Sequence, residues 1–262
     1  MRMFAAAFYG EALKTRRARA PWLIAISFLL APIMGALFMF IIKNPEQARS
    51  WGIIGTKAQF AGSVADWPTY FGLLAQAVAV GGAFVFAMMT AWIFGREFAD
   101  ATAKEMLATP TSRAAIITAK FTVLLVWSGI VTSAVLVTGL AAGKVVSLPG
   151  WSADSLMSGV KSIATSAALT FLLMTVVAFV ASIGRGYLAS LGWTVLAAVL
   201  AQVIAALGWG PYFPWSLPAL ASGVAGPDAA RLHVASYLLV VLVSIAGVLA
   251  TLAWWHWADH TE

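Results

Sequence analysis

The sequence predicts an all-α membrane protein in which six helices cross the membrane. Of its 262 residues, 61% are hydrophobic and only 10% are charged, whereas soluble proteins contain about 25% charged residues. The apolar residues form six runs of roughly the 20 residues that a helix needs to cross a bilayer. Most charged residues lie between these runs. We therefore expect one transmembrane domain that comprises residues 1–262.

The composition excludes several classes of function. The chain contains no Cys, which rules out disulfides, thiol catalysis and cysteine-bound metals. A net charge of +6 could indicate nucleic-acid binding. However, the basic residues are dispersed and concentrate at the ends of the apolar runs, where they favour contact with a membrane surface. The sequence also lacks the G-x-x-x-x-G-K-[ST] loop that binds nucleotide phosphates, so any ATP must be hydrolysed by a partner.

The N-terminal residues predict a helix on the membrane surface, followed by the first span. Residues 3–19 carry an apolar face and many basic side chains, as interfacial amphipathic helices do; the alternative is a basic flank of the first span. Residues 22–42 are longer than the apolar core of a signal peptide, which has about 7–15 residues, so we interpret them as the first span. The apolar face consists of Phe4, Phe8, Tyr9 and Leu13, and the basic residues are Arg2, Lys14, Arg16, Arg17 and Arg19.

A short charged helix is predicted between the second and third spans. The second span covers residues 67–94, with Asp66 as its N-cap. Residues 96–108 then predict an amphipathic helix, in which charged side chains four residues apart can pair. Pro110 ends this helix because the residue before a proline disfavours the α conformation, and the third span covers residues 115–142. The expected pairs are Arg96 with Asp100 and Asp100 with Lys104, and the expected cap of the third span is Ser112.

A proline-rich segment separates the last two spans. Residues 208–228 contain four prolines, which rule out one continuous helix. Apart from Asp228 the segment has no charge, so it is not an ordinary solvated loop; broken structure is tolerated at membrane depth where protein buries it. The tight turn Gly184–Arg185–Gly186 makes the fourth and fifth spans antiparallel neighbours. The fourth, fifth and sixth spans are predicted at residues 160–183, 187–207 and 234–257.

The distribution of basic residues predicts the orientation in the membrane. With the N terminus in the cytoplasm, ten Lys and Arg residues fall on the cytoplasmic side and six on the other, in agreement with the positive-inside rule. Both termini and residues 96–108 are then cytoplasmic. The expected location is the plasma or inner membrane of the cell.

Two motifs, in this order along the chain, resemble the type-2 permeases of ABC exporters. One is Gly95-Arg96-Glu97-Phe98, followed by the charged helix and by Thr109-Pro110-Thr111-Ser112-Arg113; the other is Pro214-Trp215-Ser216-Leu217-Pro218. The resemblance covers essentially the whole chain and is strongest to permeases for drugs, bacitracin and lantibiotic immunity. It implies that residues 96–108 form a coupling helix, which sits in a cleft of a separate ATPase. It also implies re-entrant helices at residues 208–228 on the outer face.

The resemblance further implies the partners of this chain. Two permeases, identical or related, would assemble with two copies of a cytoplasmic ABC ATPase that binds ATP and Mg²⁺, so no cofactor is expected on this chain. Such an assembly would export an amphipathic or lipid-embedded compound. The alternative for the charged helix is a solvated loop without a partner. The residues implied in the ATPase contact are Arg96, Glu97, Phe98, Asp100, Lys104, Glu105, Met106, Leu107 and Arg113.

Polar and aromatic residues of the spans suggest a path for the substrate. Polar side chains in lipid must face protein or water, so they could line a path between two permeases, although they more commonly hydrogen-bond to neighbouring helices. Aromatic residues before the last span could gate the outer exit or anchor the chain at the interface. The candidates are Gln76, Thr170, Gln202, Tyr212, Phe213 and Trp215.

Two other functions are less well supported by the sequence. A transporter driven by a proton gradient needs titratable groups inside its spans, and we place none there, since Lys120 and Lys161 lie at span ends. Transport coupled to a sodium gradient, with the ion bound by backbone and hydroxyl oxygens, remains an alternative. A membrane metalloenzyme would need a ligand set, but His256, Asp259 and His260 lie at the end of the last span without an HExxH pattern, so no metal is expected.

Overall fold

The computed structural model describes residues 2–52, 64–102, 111–223 and 232–257, and every regular element in these ranges is a helix. An N-terminal helix, Arg2–Arg17, comes first. Six further helices are long and apolar enough to cross a membrane, which confirms the prediction of six spans. In chain order the spans are Ala20–Lys43, Trp67–Ala99, Arg113–Val145, Ala153–Ile183, Tyr187–Ala206 and Val234–Trp257, and the short helix Pro45–Ser50 follows the first of them.

The spans form a bundle with two distinct ends. One end, which we call the basic end, contains the N-terminal helix, the last turn of the second span and the first turns of the third. There the guanidinium of Arg113 donates to the carbonyls of Trp255 (2.8 Å) and His256 (3.0 Å), which ties the third span to the sixth. At the opposite end, Lys43 Nζ donates to the carbonyl of Val146 at 2.9 Å. This bond ties the first span to the third.

A proline interrupts the first span. Pro32 has no backbone N–H and cannot bond to the carbonyl of Phe28, and the α-helix stops at Phe28 and resumes at Leu30. The carbonyl of Pro32 accepts a hydrogen bond from the buried hydroxyl of Tyr70 at 2.7 Å. The interruption therefore lies where the first span is bonded to the second.

The second span begins as predicted and contains a change of helix type. The carboxylate of Asp66 caps the span by accepting from the N–H of Thr69 at 2.9 Å. Near its middle, Ala77–Gly81 form a π-helical turn, and the α-helix resumes as Gly82–Ala99. Single π-helical turns are frequent at functional sites, and this one borders the cavity described below.

The second span is longer than predicted, which corrects the start of the predicted coupling helix. Its α-helix continues to Ala99, so Arg96, Glu97 and Phe98 form its last turn and not the first turn of a separate helix at residues 96–108. The helix continues past Phe94 because Glu97 is buried and bonded inside the bundle. The chain turns at Ala101, which has a φ of 55°. Residues 103–108 lie outside the described residues.

Side-chain caps begin the third and fourth spans. The hydroxyl of Ser112 accepts from the N–H of Ala115, which confirms the predicted cap. The fourth span begins at Ala153 and not at residue 160, because Ser152 and Ser155 cap each other's backbone N–H groups in a capping box. The prediction assigned this first part of the helix to the connection before it.

The fourth span lies in the centre of the bundle, between the second and sixth spans. Gly247 of the sixth span lies directly against its backbone, since a Cβ at Gly247 would be 2.8 Å from the carbonyl carbon of Thr175. The second span packs closely too: Phe71 covers Gly159 of the fourth span at a distance that leaves no room for a Cβ. These close approaches fix the relative positions of the three helices.

The segment after the fifth span is broken into short pieces, as its prolines predict. The hydroxyl of Ser216 donates to the carbonyl of Ala201 at 3.0 Å, so the segment folds back along the fifth span. The ring of Trp215 packs edge-on against Trp193, with 5.6 Å between centroids. Residues 224–228 of the predicted segment lie outside the described residues. The pieces are Gly210–Tyr212, Pro214–Ser216 and Leu217–Ala221.

Candidate functional site

A group of four charged side chains, three of them buried, lies at the basic end of the bundle. We call it the charge cluster. Glu11 and Lys14 come from the N-terminal helix, Glu97 from the second span and Lys120 from the third. Glu97 is 3% exposed and Lys120 is fully buried. The sequence predicts Lys120 at a span end and indicates no acidic partner for it.

The charge cluster is held together by short ion pairs. Lys120 Nζ lies 2.7 Å from Glu97 Oε1 and 3.3 Å from Glu11 Oε2, and it donates to the carbonyl of Ile93 at 2.7 Å. Its three N–H donors therefore each have an acceptor. Lys14 Nζ lies 2.6 Å from Glu11 Oε1 and 3.3 Å from Glu97 Oε1. The two ammonium groups balance the two carboxylates, as burial of charge requires.

The pairing changes the pKa values of the two residues on the N-terminal helix. Burial by itself would raise the pKa of the Glu11 carboxyl, but the ammonium groups of Lys120 and Lys14 outweigh it and hold the pKa below its ordinary value. Burial would lower the pKa of Lys14, but Glu11 and Glu97 outweigh it and raise the pKa. Both groups are thus kept charged at neutral pH.

These shifts predict that docking of the N-terminal helix depends on pH. Since the pKa of Glu11 is depressed in the folded protein, its stabilising contribution is present above the unfolded pKa, about 4.3, and is lost as the pH falls through the folded value. We expect the difference in free energy of unfolding between the wild type and Glu11→Gln to be largest at pH 7 and to shrink as the pH falls below about 4. Chemical unfolding in detergent at several pH values measures it, and a constant difference would contradict the prediction.

Glu97 lies inside the bundle and not on its surface. The resemblance implied a direct contact with an ATPase, but the Glu97 carboxylate is buried and bonded to two lysines of its own chain. It is buried because Lys120 needs a counter-charge inside the bundle. Its second oxygen, Oε2, accepts no hydrogen bond from any residue that the structure describes.

The other predicted coupling residues divide into three groups. Arg96 and Asp100 pair as predicted, with 3.2 Å between Nε and Oδ2, and Asp100 is exposed. Phe98 packs against Trp255 of the sixth span, with 5.4 Å between ring centroids, and Arg113 binds the end of the same span. The remaining residues lie outside the described part of the chain: Lys104, Glu105, Met106 and Leu107.

The second span also touches the turn between the fourth and fifth spans at the basic end. A Cβ at Gly95 would lie 2.8 Å from the carbonyl carbon of Gly186 and 2.9 Å from its oxygen. The two backbones are therefore in direct contact, two residues before Glu97 of the charge cluster. Movement at the end of the second span would displace this turn as well.

We predict that Gly95→Ala destabilises the protein, because backbone atoms cannot move aside as a flexible side chain can. The expected loss in free energy of unfolding is roughly 1–3 kcal/mol. Gly129→Ala in the third span is the matched control, since no atom lies within 4 Å of its added Cβ. Thermal unfolding in detergent compares the two variants. Equal melting temperatures would mean that the contact with Gly186 does not constrain the bundle.

A cavity of about 60 Å³ lies between the second, fourth and fifth spans and the segment that folds back on the fifth. We call it the central cavity. Its walls are mostly apolar, and the π-helical turn of the second span contributes Ala79 and Val80. Gln202 is exposed at the side of the fifth span, so the cavity opens on the bundle surface near the second and fifth spans. The polar or aromatic lining residues are Thr170, Thr194, Gln202 and Trp215.

The central cavity brings together three of the six predicted path residues. Thr170, Gln202 and Trp215 line it. Thr170 donates to the carbonyl of Ser166 in its own helix at 2.8 Å, so its hydroxyl does not make the alternative bond to a neighbouring helix. The other three do not line the cavity: Gln76 is half-buried just before the π-helical turn, Tyr212 is 69% exposed, and Phe213 is half-buried beside Trp215.

Comparison with known proteins identifies the family of this chain. The family described as "ABC-2 family transporter protein" matches residues 7–201, which include the charge cluster and most of the central cavity. The chain belongs to the ABC-2 transporter family. It is thus a type-2 ABC permease: a multi-pass membrane protein and the permease of an ABC transporter. The family implies an ABC ATPase as a partner in general.

This ABC-2 permease is similar to the bacitracin transport permease protein of Bacillus licheniformis. The two are 27% identical over 176 residues, which make up 67% of this chain and 84% of the relative. The similarity places the chain in the bacitracin-like branch of type-2 permeases. No solved structure matches the permease.

The signal for the charge cluster is present in the sequence, although the predictions missed it. Glu11 is the single acidic residue among the first 20 residues, which are otherwise strongly basic, and Lys120 lies seven residues into the third span. An acid in a basic interfacial helix and a lysine within a span both need a partner. Which groups pair could be learned only from the packing of the N-terminal helix against the third span.

Proposed function

We propose that this permease is the membrane-spanning subunit of an ATP-driven exporter for an amphipathic or lipid-embedded compound, such as a drug or an antimicrobial peptide. One observation carries the proposal: the second span borders the central cavity at its midpoint and ends in the charge cluster. A displacement at the basic end can therefore reach the cavity along a single helix. The relative's name, a bacitracin transport permease, supports this substrate class.

In this proposal the basic end faces the cytoplasm and both termini are cytoplasmic. The positive-inside rule supports this orientation, because Arg16, Arg17, Arg96, Arg113 and Arg185 all lie at that end. The opposite end, with Tyr212 and Phe213, then faces outward. There the two aromatic side chains would gate the exit of the cavity.

The proposed partner is a cytoplasmic ABC ATPase that binds ATP and Mg²⁺. It would contact the partly exposed side chain of Arg96, the exposed side chain of Asp100 and the residues that follow, Lys104, Glu105, Met106 and Leu107. Closure of the ATPase would push the segment between the second and third spans. The charge cluster would make the N-terminal helix and both spans move together, because separating it would leave buried charges at Glu97 and Lys120 unpaired.

The substrate path is proposed to form between two permease copies, identical or related, with two ATPases. A cavity of about 60 Å³ in one copy is far smaller than the roughly 300–1,000 Å³ of drug-sized sites. Its mouth near the second and fifth spans would be widened by a second copy on that face. Gln202 and Thr170 would then supply polar groups, and Trp215 an apolar surface, to an amphipathic substrate. The π-helical turn would let the second span change its bend beside the cavity.

The test is reconstitution with an ABC ATPase from the same genome, beginning with one encoded beside the gene if such a gene is present. We expect the two proteins to copurify, ATP hydrolysis to rise when an exported compound is added, and charge reversal of Asp100 to weaken ATPase binding. Asp154→Lys at the opposite end is the control and should bind normally. Flux driven by an ion gradient in vesicles that lack any ATPase would overturn the proposal in favour of a secondary transporter.

A further inference from the structure

An apolar pocket lies between the N-terminal helix, the start of the first span and the third span. We call it the N-terminal pocket. Its volume is about 170 Å³, and its walls are almost entirely apolar. It lies on the side of the bundle where Trp22, Val126 and Ile130 are 54%, 49% and 60% exposed. The N-terminal helix contributes Phe8, Ala12, Thr15 and Arg16, the first span Pro21 and Trp22, and the third span Val123, Val126, Trp127 and Ile130.

Contacts on both sides hold the N-terminal pocket open. The indole N–H of Trp22 donates to the carbonyl of Arg16 at 3.0 Å, which fixes the turn between the N-terminal helix and the first span. On another face of the same helix, Glu11 and Lys14 anchor it through the charge cluster. The pocket is therefore formed before any ligand enters, which reduces the entropic cost of binding.

One cationic side chain lines the N-terminal pocket, and two more follow it closely in the sequence. Arg16 lines it, and Arg17 and Arg19 follow within three residues. All three are exposed. In the part of the chain that the structure describes, no carboxylate pairs with any of them. Their charges are thus available to an anion at the level where the N-terminal helix meets the first span.

We propose that the N-terminal pocket binds one acyl chain of an anionic phospholipid and that Arg16 binds its phosphate. The apolar walls suit a hydrocarbon chain. At the rim, Arg16 can donate charge-assisted hydrogen bonds to a phosphate. The pocket opens at the side of the bundle, between spans, where a lipid can enter. Clusters of basic residues beside a transmembrane helix attract anionic lipids in this way. Neither the pocket nor its arginines belong to the proposed ATPase contact or to the substrate path.

Native mass spectrometry of the purified permease tests the proposal, with phosphatidylglycerol and phosphatidylcholine of the same acyl chains as probes. We expect the wild type to bind phosphatidylglycerol about fivefold more tightly, which corresponds to roughly 1 kcal/mol for one arginine. Val126→Trp should fill the pocket and reduce phosphatidylglycerol binding at least about fivefold. Val137→Trp, on the same helix, 64% exposed and outside the pocket, should bind like the wild type.

The variant Arg16→Gln tests the contact with the phosphate separately from binding of the acyl chain. The side chain is exposed, so the variant should fold normally, bind both lipids and lose the preference for phosphatidylglycerol. If Val126→Trp binds phosphatidylglycerol as the wild type does, the pocket is not the site. If the wild type binds both lipids equally, the site does not select a lipid with net negative charge. Either result overturns the inference, and neither depends on transport or on ATP hydrolysis.

Discussion

Replacement of Lys120 by Met is expected to lower the free energy of unfolding by about 3–5 kcal/mol, which is the usual cost of removing one partner of a buried ion pair. Lys120 is fully buried and contacts both Glu97 and Glu11. Without it the two carboxylates share a single ammonium group, that of Lys14. Denaturant unfolding in detergent measures the loss, and the yield of folded protein from membranes should fall with it.

Two further variants make this prediction specific to the charge cluster. Lys144→Met, at the exposed other end of the same helix, should change the free energy of unfolding by less than about 0.5 kcal/mol. Adding Glu97→Gln to Lys120→Met should restore part of the loss, because it removes one unpaired buried charge. If the double variant is less stable than Lys120→Met by the full effect of Glu97→Gln alone, the two side chains do not interact and the cluster is not a unit.

Ala198→Phe is expected to reduce transport at least about tenfold, equivalent to roughly 1.4 kcal/mol. Ala198 lines the central cavity from the fifth span, and a phenyl ring there would occupy most of about 60 Å³. Transport is measured as export of a fluorescent amphipathic compound from cells or vesicles that contain the permease and its ATPase. Copurification of the ATPase should be unchanged, since the substitution lies far from the basic end.

The neighbouring residue provides the control for this variant. Val199→Phe adds the same ring one position further along, on a side chain that is 55% exposed and does not line the cavity. It should transport at the wild-type rate. If both variants transport normally while remaining in the membrane, the central cavity is not on the substrate path and the role proposed for Thr170 and Gln202 is wrong.

Local sequence signals predicted the helices and several of their caps. Six apolar runs of sufficient length gave six spans, and the caps at Asp66 and Ser112 form as predicted, because capping depends on residues three positions apart. The sixth span begins at Val234, as predicted, and extends to Trp257, the last residue described. In contrast, the reciprocal cap of Ser152 and Ser155 was overlooked, and the fourth span starts earlier than predicted as a result.

Which residues pair in the charge cluster could not be predicted because its members are far apart in the sequence. The resemblance implied that Glu97 contacts an ATPase, whereas in the structure it pairs with Lys120, 23 residues away, and with Lys14, 83 residues away. Likewise, spacing alone could not separate Thr170 and Gln202, which line the central cavity, from Gln76, which does not. Such distinctions depend on how helices rotate against one another.

The order of synthesis has a consequence for the charge cluster. Glu11 and Lys14 leave the ribosome first, and Glu97 and Lys120 follow only when two further spans have been made. Until the third span enters the bilayer, Glu97 has no buried lysine beside it. During that time the N-terminal helix stays on the membrane surface, with the Glu11 carboxylate in water. We therefore expect a nascent chain that stops before Lys120 to keep its N-terminal helix accessible to proteases, and the full-length chain to protect it.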